Sequence, residues 1–473
     1  MIPERFTPVL DDVGPLADAF AAAGHRLYLV GGVVRDLLVG DELPSDYDFT
    51  TDATPEQIEA VLAGFDGVEA VWTQGKRFGT IGALIRVGAD GRTIDHEITT
   101  HRAEAYDPDS RKPEVRFATD IEADLSRRDF TINAMALSLP DARLVDPFGG
   151  TADLAAKVLR TPLAASESFS DDPLRMLRAA RFLTRFDLKP DDELVEAVEA
   201  MAERLEIVSA ERIRDELNRL LVLDDPSPGL WFLCDTGLAE HFLPELPAMR
   251  VEQDPIHHHK DVLAHTIAVV RKTSPDLVLR LAALLHDIGK PATRDFGPKG
   301  VSFHHHEVVG ARMARRRMKE LKYPNDVRDD VSQLVFLHLR FHGYGDDAWT
   351  DAAVRRYVRD AGPLLGKLNE LTRCDCTTRN RRRAEMLSRR MDALEERIEV
   401  LREQEAIDAL RPDLDGQQVM ALLDLPPGPE VGRALRFLLD ARMEEGPLGE
   451  EEATRRLRAW WAEQRSPAAD PPA

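Results

Sequence analysis

Two short stretches constrain this chain more than anything else in it: Leu29-Val30-Gly31-Gly32-Val33-Val34-Arg35-Asp36, and the Asp46-Tyr47-Asp48 that follows. The first reads as strand, tight turn, helix. Tyr28 to Val30 is apolar and β-favouring. Gly31 and Gly32 have no Cβ, so the backbone there can approach a ligand closely and offer N–H groups. Val33 to Val39 then opens a helix, whose N-terminus favours phosphate. Arg35 adds a guanidinium able to grip a phosphate oxygen bidentately. Asp46 and Asp48 are two apart, which in a strand puts both carboxylates on one face. There they can hold a divalent metal against a triphosphate. A lone Gly-Gly is most often an ordinary turn and a lone Asp-x-Asp a solvated loop; it is the order of the two that points to a site.

These residues resemble the polymerase-β-like nucleotidyltransferases, and closely the class II CCA-adding enzyme and bacterial poly(A) polymerase family. The resemblance spans roughly residues 25–250. It implies an α+β fold: a nucleotidyltransferase head with a small mixed sheet and helices, followed by an all-α neck and body. It also implies transfer of nucleotides from CTP and ATP to the 3′ end of tRNA, with Mg2+ at Asp46 and Asp48 in the head.

Such sites often take a third carboxylate from a neighbouring strand. In Thr93-Ile94-Asp95-His96-Glu97-Ile98, Asp95 and Glu97 share a face; Glu97 is the candidate, with Asp95 behind it. Strands are expected at Val71–Trp72, Thr80–Val87, Thr93–Thr99 and Arg143–Val145, with a turn at Gly88-Ala89-Asp90-Gly91. Residues 101–117 are polar and broken by Pro108 and Pro113, which predicts a mobile loop. In the family such a loop is linked to the change from CTP to ATP.

The resemblance assigns Arg127-Arg128-Asp129-Phe130-Thr131-Ile132-Asn133-Ala134 to gripping ribose and triphosphate. Arg128 can pair with phosphate, and Asp129 can accept from a ribose 2′-hydroxyl. Further on, Asp171-Asp172-Pro173-Leu174-Arg175 resembles the family's Glu-Asp-x-x-Arg base reader, with Asp171 in place of Glu. Asp172 is a good N-cap and Pro173 suits the first helical position. A carboxylate accepts from an exocyclic amino group, and Arg donates to the ring nitrogen or carbonyl beside it. Cytosine N4 and adenine N6 offer that amino group, whereas uracil and guanine present a carbonyl there. One Asp172–Arg175 pair therefore suits CTP and ATP. Arg178 follows one turn on. Arg181 completes the nucleotide-binding set with Gly31, Gly32 and Arg35, although it lies about half a turn of helix away from Asp172. Ala210 to Leu217 resembles a further family motif and reads as structural.

The second half carries different chemistry. His265 lies in a helical pattern, Val262 to Val270, and His286-Asp287 closes the apolar run Leu281 to Leu285. Asp375 comes much later, inside Cys374-Asp375-Cys376. That order resembles the HD phosphohydrolase family over about residues 260–380. It implies His265, His286, Asp287 and Asp375 as ligands of a divalent transition metal that activates water. His306 and His338 are candidates for a second metal. Lys290 either contacts phosphate or caps a helix C-terminus. Cys374 and Cys376 lack the usual zinc-ligand spacing and read as packing.

At 473 residues the chain exceeds a single core. We expect a head at 1–155, a helical base-reading and RNA-binding neck at 156–250, an HD domain at 251–385, and a helical tail at 386–473 with a disordered Pro- and Ala-rich end. No apolar run approaches the roughly 20 residues that span a bilayer, and Met1-Ile2-Pro3-Glu4 lacks a charged leader pattern. Three cysteines, Cys234, Cys374 and Cys376, are not a disulfide framework. A cytoplasmic protein is expected, with tRNA, CTP and ATP as partners, no membrane, and no protein partner inferred. The net charge of −22 is unusual for a nucleic-acid binder, so binding must rest on local basic clusters such as Arg127-Arg128 and Arg175 to Arg185. The sequence leaves open whether all of CCA, only CC or only A is added, or a poly(A) tail. It also leaves open a protein that is mainly an HD phosphohydrolase.

Overall fold

The computed structural model describes residues 4–40, 46–88, 91–105, 114–117, 120–251, 261–297, 300–342, 349–376, 381–405 and 411–465. The expected disordered end at 466–473 and the middle of the 101–117 loop lie outside them. The chain separates into two compact units, 1–247 and 248–473.

The first unit is α+β, built on a seven-stranded sheet. Its strands are β1 (Leu27–Val30), β2 (Asp46–Thr51), β3 (Val68–Trp72), β4 (Thr80–Val87), β5 (Arg92–Thr100), β8 (Ala136–Leu139) and β9 (Arg143–Val145), in the order β3-β4-β5-β2-β1-β8-β9. Only β2 and β5 run parallel; the remaining neighbours are antiparallel. The alternation of β2 explains its placement. Tyr47 and Phe49 are buried, while Asp46 stands exposed and Asp48 half-buried on the opposite face. The apolar face, with Ile81, Ala83, Ile85, Ile94 and Ile98, packs against α1 (Thr7–Ala22) and α3 (Pro55–Ala63) through Val13, Leu16, Phe20, Ile58 and Leu62. Each such fully buried side chain contributes roughly 1.5–3 kcal/mol. Tyr47 also donates its hydroxyl to Asp12 of α1, 2.7 Å away.

Two strands, β6 (Arg102–Ala105) and β7 (Glu114–Phe117), pair antiparallel from Arg102↔Phe117 to Ala105↔Glu114. Both ends of the expected 101–117 loop are therefore a hairpin stem, because the β-compatible residues flanking its prolines find each other as partners. The expected turn at 88–91 joins β4 and β5, although residues 89 and 90 lie outside the described set.

Helices supply the rest of the unit: α2 (Gly32–Val39) directly after β1, α4 (Ile121–Ser126), α5 (Gly150–Ala156), then α6 (Ala165–Asp171), α7 (Leu174–Arg185), α8 (Asp192–Met201), α9 (Ala210–Leu221) and α10 (Ser227–Asp235). One face of α7 is buried through Met176, Ala179, Ala180 and Leu183. Its opposite, Arg-rich face follows from the 3.6-residue period of its arginines.

The second unit is helical. Its α11 (Val262–Lys272), α12 (Leu277–Leu285), α13 (His306–Glu320), α14 (Asn325–Leu337), α15 (Asp351–Ala361), α16 (Leu365–Asp375) and α17 (Arg381–Glu405) are followed by α18 (Gly416–Leu423), α19 (Pro429–Glu445) and α20 (Glu450–Arg465). Every residue of α12 from Leu279 to Leu285 is buried, as its nearly uninterrupted apolar sequence requires of a central helix. Its one charge, Arg280, is satisfied by the carbonyls of Thr273 and Ser274. The last three helices enclose a separate small core of Leu414, Val419, Ala434, Leu438, Leu457 and Trp461. Among the described residues no helix is long and apolar enough to cross a membrane.

Candidate active sites

The carboxylates of the first unit are set by strand register. Parallel pairing of β2 with β5 puts Asp46 opposite Asp95 and Asp48 opposite Glu97. All four therefore share the outer face of the sheet, two on each of two adjacent strands. Burial raises Asp48 to a pKa of about 6; Arg128 opposes that shift, while Glu97 and Asp46 reinforce it. Carboxylates crowded in this way are neutralised best by a divalent cation, and oxygen-only donors suit a hard one. Asp46, Asp48 and Glu97 thus fit a metal.

Next to them β1 ends and α2 begins. Gly31 sits at φ +74°, a backbone conformation that costs other residues energy. A Cβ there would lie 2.9 Å from Arg128 Nη1, so the guanidinium rests directly on the glycine turn. Arg128 is aimed by Asp124, 3.4 Å away, whose carboxylate is buried. Burial alone would raise Asp124, but Arg128 and Arg127 hold it below the usual carboxylate range. Gly31, Gly32 and Arg128 therefore form the positive end of the site, with Asp46, Asp48 and Gly32 lining a cavity of about 1180 Å³.

Arg35, expected to seat phosphate, is enclosed by other side chains. It is 4% exposed. Its guanidinium donates to Asn133 and Asp36 and lies 4.5 Å from the centre of the Phe186 ring. Arg35 thus ties α2 to the Asn133 segment and to the Phe186 ring at the end of α7. Asp129 is likewise a hub: it accepts from Asn133 Nδ2 at 2.9 Å, from the Phe130 amide at 2.9 Å, and pairs with Arg178 Nη2 at 2.6 Å. Burial works against its charge, yet Arg178, Asn133 and Arg175 keep it below the ordinary carboxylate range.

Asp172 and Arg175 do not pair with each other through their side chains. Asp172 is expected to cap α7 with Pro173 as its first residue; instead Pro173 is the N-cap and the helix starts at Leu174. Asp172 ends α6, accepts from the Leu174 amide at 3.2 Å, and accepts from Arg212 Nη2 at 2.7 Å. Arg175 is buried and donates to Ser168 Oγ at 2.8 Å and to the Arg127 carbonyl. It thereby fixes the backbone that carries Arg128 and Asp129. Arg181 points elsewhere: it pairs with Glu216 at 2.7 Å and lies over Phe182. The half-turn offset between positions 172 and 181 is the reason. Asn133 and Arg212 lie inside segments read as motifs but carry no role of their own there, and Asp124 lies outside every one of them. For Asp124 the available signal is its i, i+4 spacing to Arg128.

In the second unit six side chains converge. His265, His286 and Asp375 form one ligand group and Asp287, His306 and His338 another, with the donor atoms of each group within 4.8 Å of one another. Asp287 faces both sets. Its Oδ2 lies 3.3 Å from His286 Nε2 and 3.6 Å from His265 Nε2, and its Oδ1 lies 3.3 Å from His306 Nε2. The Nδ1 atoms of His286, His306 and His338 meet the carbonyls of Ala283, Phe303 and Val335 at 2.7, 2.8 and 2.6 Å. With Nδ1 donating to a carbonyl, Nε2 is the nitrogen each ring turns inward. A metal there would take its lone pair in place of the proton that, against burial, Asp287 and Asp375 favour on His286, whose pKa they raise to about 10. The donor set fits one or two divalent metals, His306 and His338 included. Lys290 pairs with Asp287 Oδ2 at 2.6 Å. Neither Cys374 nor Cys376 belongs to either group.

Comparison with known proteins follows the same division. Residues 27–160 match the family described as "Poly A polymerase head domain", 187–249 "Probable RNA and SrmB- binding site of polymerase A", and 257–398 "HD domain". The A-adding tRNA nucleotidyltransferase of Deinococcus radiodurans is 36% identical over 450 residues, which are 92% of this chain and 95% of that protein. The multifunctional CCA protein of an Azoarcus species is 35% identical over 374 residues, 76% of this chain and 82% of that one. In three dimensions the chain is similar to the Bacillus stearothermophilus CCA-adding enzyme in complex with CTP, with TM-score 0.67, 23% identity, and 98% and 99% of the two chains covered.

Proposed function

The chain belongs to the tRNA nucleotidyltransferases with a poly A polymerase head, and from that premise we propose that it adds C, C and A to the 3′ end of tRNA from CTP and ATP, releasing pyrophosphate. The observation that carries this reading is the pairing of Asp46-x-Asp48 with Glu97 on one sheet face, beside a glycine turn crowned by Arg128. Asp46, Asp48 and Glu97 would hold Mg2+, which when bound supplies charge stabilisation to the transferring phosphoryl and acidifies the attacking hydroxyl. The Gly32 amide and Arg128 orient the triphosphate, while the Gly31 N–H is committed to the Met135 carbonyl at 3.3 Å, so that the tRNA 3′-hydroxyl meets the α-phosphorus in line with departing pyrophosphate. Arg175, Asp129 and Arg178 hold that phosphate-binding segment in place, and Asp172 with Arg212 presents a carboxylate and a cation for the base edge. Work on tRNA fits a cytoplasmic protein.

The decisive experiment supplies tRNA ending at the discriminator base, after C, or after CC, with CTP and ATP given separately. Extension of all three supports full CCA addition. A second outcome has its own support, since the relative covered at 95% of its length is an A-adding enzyme: ATP incorporation only onto tRNA ending in CC assigns the chain to A addition. No incorporation on any tRNA rejects the reading.

For the second unit we propose a metal-dependent phosphohydrolase using a transition metal at His265, His286, Asp287 and Asp375, with a second ion at His306 and His338. The support is the six-donor cluster with its Nδ1 atoms occupied. A phosphomonoester or 2′,3′-cyclic phosphate at a damaged tRNA 3′ end is the motivated substrate. Hydrolysis of 2′,3′-cyclic AMP across a series of divalent metals tests it; inactivity with every metal makes the helices a scaffold.

A further inference from the structure

Four residues stand in one row across the sheet of the first unit. Trp72 on β3 pairs with Gly82 on β4, Gly82 with Glu97 on β5, and Glu97 with Asp48 on β2. Direct cross-strand partners share a face, so the row runs from an aromatic side chain to the metal-binding carboxylates. Gly82 is what joins them. A Cβ at that position would overlap the Trp72 indole at Nε1 and Cε2, so only glycine lets the indole pack directly against β4, between Trp72 and Glu97. Phe78, 38% exposed, stands nearby with the Arg77 guanidinium 4.4 Å from its ring centre. Together with Gln74, Thr80 and Arg102, these residues and Glu97 line a cavity of about 400 Å³. Arg102 is positioned by donating to Thr80 Oγ1 at 2.9 Å. This cavity shares no lining residue with the larger one at Gly32, Asp46 and Asp48.

The sheet order thus places the glycine turn and Arg128 on one side of the carboxylates and the aromatic cavity on the other. In-line transfer demands that arrangement of its two substrates: the attacking hydroxyl enters on the face of phosphorus opposite the departing pyrophosphate. The triphosphate takes the glycine side. We propose that the Trp72 cavity receives the 3′-terminal nucleotide of the tRNA, its base stacked on the indole and its 3′-hydroxyl presented at Glu97. Stacking is indifferent to base identity, which suits a primer end that changes with every addition. The inference rests on the nucleotidyltransferase reading of the preceding subsection.

The test is a double-perturbation cycle. Wild type, Trp72→Ala and Trp72→Phe are compared on tRNA ending in CC and on the same tRNA with an abasic terminal ribonucleotide, reading kcat/KM for tRNA and KM for ATP. Trp72→Ala should lower kcat/KM for the normal tRNA on the order of tenfold, with KM for ATP within about twofold. The abasic end should cost wild type a similar factor and Trp72→Ala almost nothing further, because both changes remove the same contact. Trp72→Phe should recover most of the loss, which a folding defect would not. An unchanged kcat/KM in Trp72→Ala, an equal abasic penalty in both proteins, or a Phe variant as poor as Ala overturns the proposal. If wild type extends no tRNA at all, it is the nucleotidyltransferase reading that has failed; if wild type extends and the cycle is additive, only the primer site has.

Discussion

Asp46 and Glu97 stand exposed on an open sheet face, whereas His286, Asp287 and His338 are each 1% exposed or less within a helical core. The difference follows from how each set is assembled. Three strand positions bring the head carboxylates together, and the apolar side of the same strands anchors them, so the face they occupy can stay open to a large polynucleotide. The histidines come from helices and turns spread between His265 and Asp375, 110 residues apart, and their ring carbons form part of the core. An open site can exchange its metal with each nucleotide. A closed one has to keep its charge compensated at all times, because a buried unpaired charge is costly.

That contrast breaks if the two sites fail together. The largest expected effect is at the carboxylates. Asp46→Ala or Asp48→Ala should reduce nucleotide addition on the order of 10³-fold or more, since several kcal/mol of charge stabilisation is lost. Thermal stability and any hydrolysis of 2′,3′-cyclic AMP should be unaffected. Normal addition by either folded variant removes the proposed metal site from the head.

Next in size is the buried cluster. His286→Ala and Asp287→Ala should lose bound transition metal and hydrolysis while retaining addition, because the two activities rest on separate residues. They should also lower the melting temperature, unlike the head variants, since breaking a buried charged pair costs about 3–5 kcal/mol. Metal content by mass spectrometry sharpens the point. If the cluster takes two ions, His338→Ala should retain about half of the wild-type metal; a wild type that binds a single ion restricts the site to His265, His286, Asp287 and Asp375. Chelation extends the contrast: addition should return as soon as Mg2+ is supplied, whereas hydrolysis should need reloading with a transition metal.

The same contrast explains what could be read from sequence. Asp46-x-Asp48 and the glycine turn are contiguous, and a strand's period of two settles which face the carboxylates share, so the sequence already placed Asp46, Asp48 and Glu97 on one face. The order His, His-Asp, Asp was enough to nominate the buried cluster, although the role of the Nδ1 atoms appears only when each ring meets a carbonyl of its own turn. Long-range partners were not legible. Arg35 looked like a phosphate ligand because its burial by Phe182 and Phe186 depends on α7, far along the chain. Asp172 and Arg175, three apart, looked like a pair, yet each found a better-placed partner in Arg212 and Ser168. Trp72 carried no motif at all; its relation to Glu97 exists only in the register of three strands.

A smaller effect is expected at base selection. Asp172→Ala should relax discrimination against UTP and GTP by about 1–3 kcal/mol, as for loss of a bidentate base contact, in addition to lowering the rate. Arg212→Ala should relax it less, because the Leu174 amide still orients Asp172. Full CTP and ATP selectivity in Asp172→Ala places the base reader elsewhere.

The smallest effect on catalysis is expected at Arg181, although it follows Arg178 by less than one helical turn. Arg178 reaches Asp129 and through it the segment proposed to bind phosphate. Arg181 is turned to Glu216 on α9, with both side chains largely buried, and Arg219 joins the same carboxylate at 3.2 Å. That arrangement fastens α7 to α9 through Arg181 Nε and Glu216. Arg181→Met should therefore lower the melting temperature, by the cost of leaving a buried carboxylate short of a partner, while KM for CTP and ATP stays within about twofold of wild type. Arg181→Met with Glu216→Leu should recover part of that stability, because replacing both members of a buried pair with apolar groups removes the stranded charge. A rise of tenfold or more in either KM without loss of stability returns Arg181 to the nucleotide site, and with it the view that the whole arginine face of α7 serves the ligand.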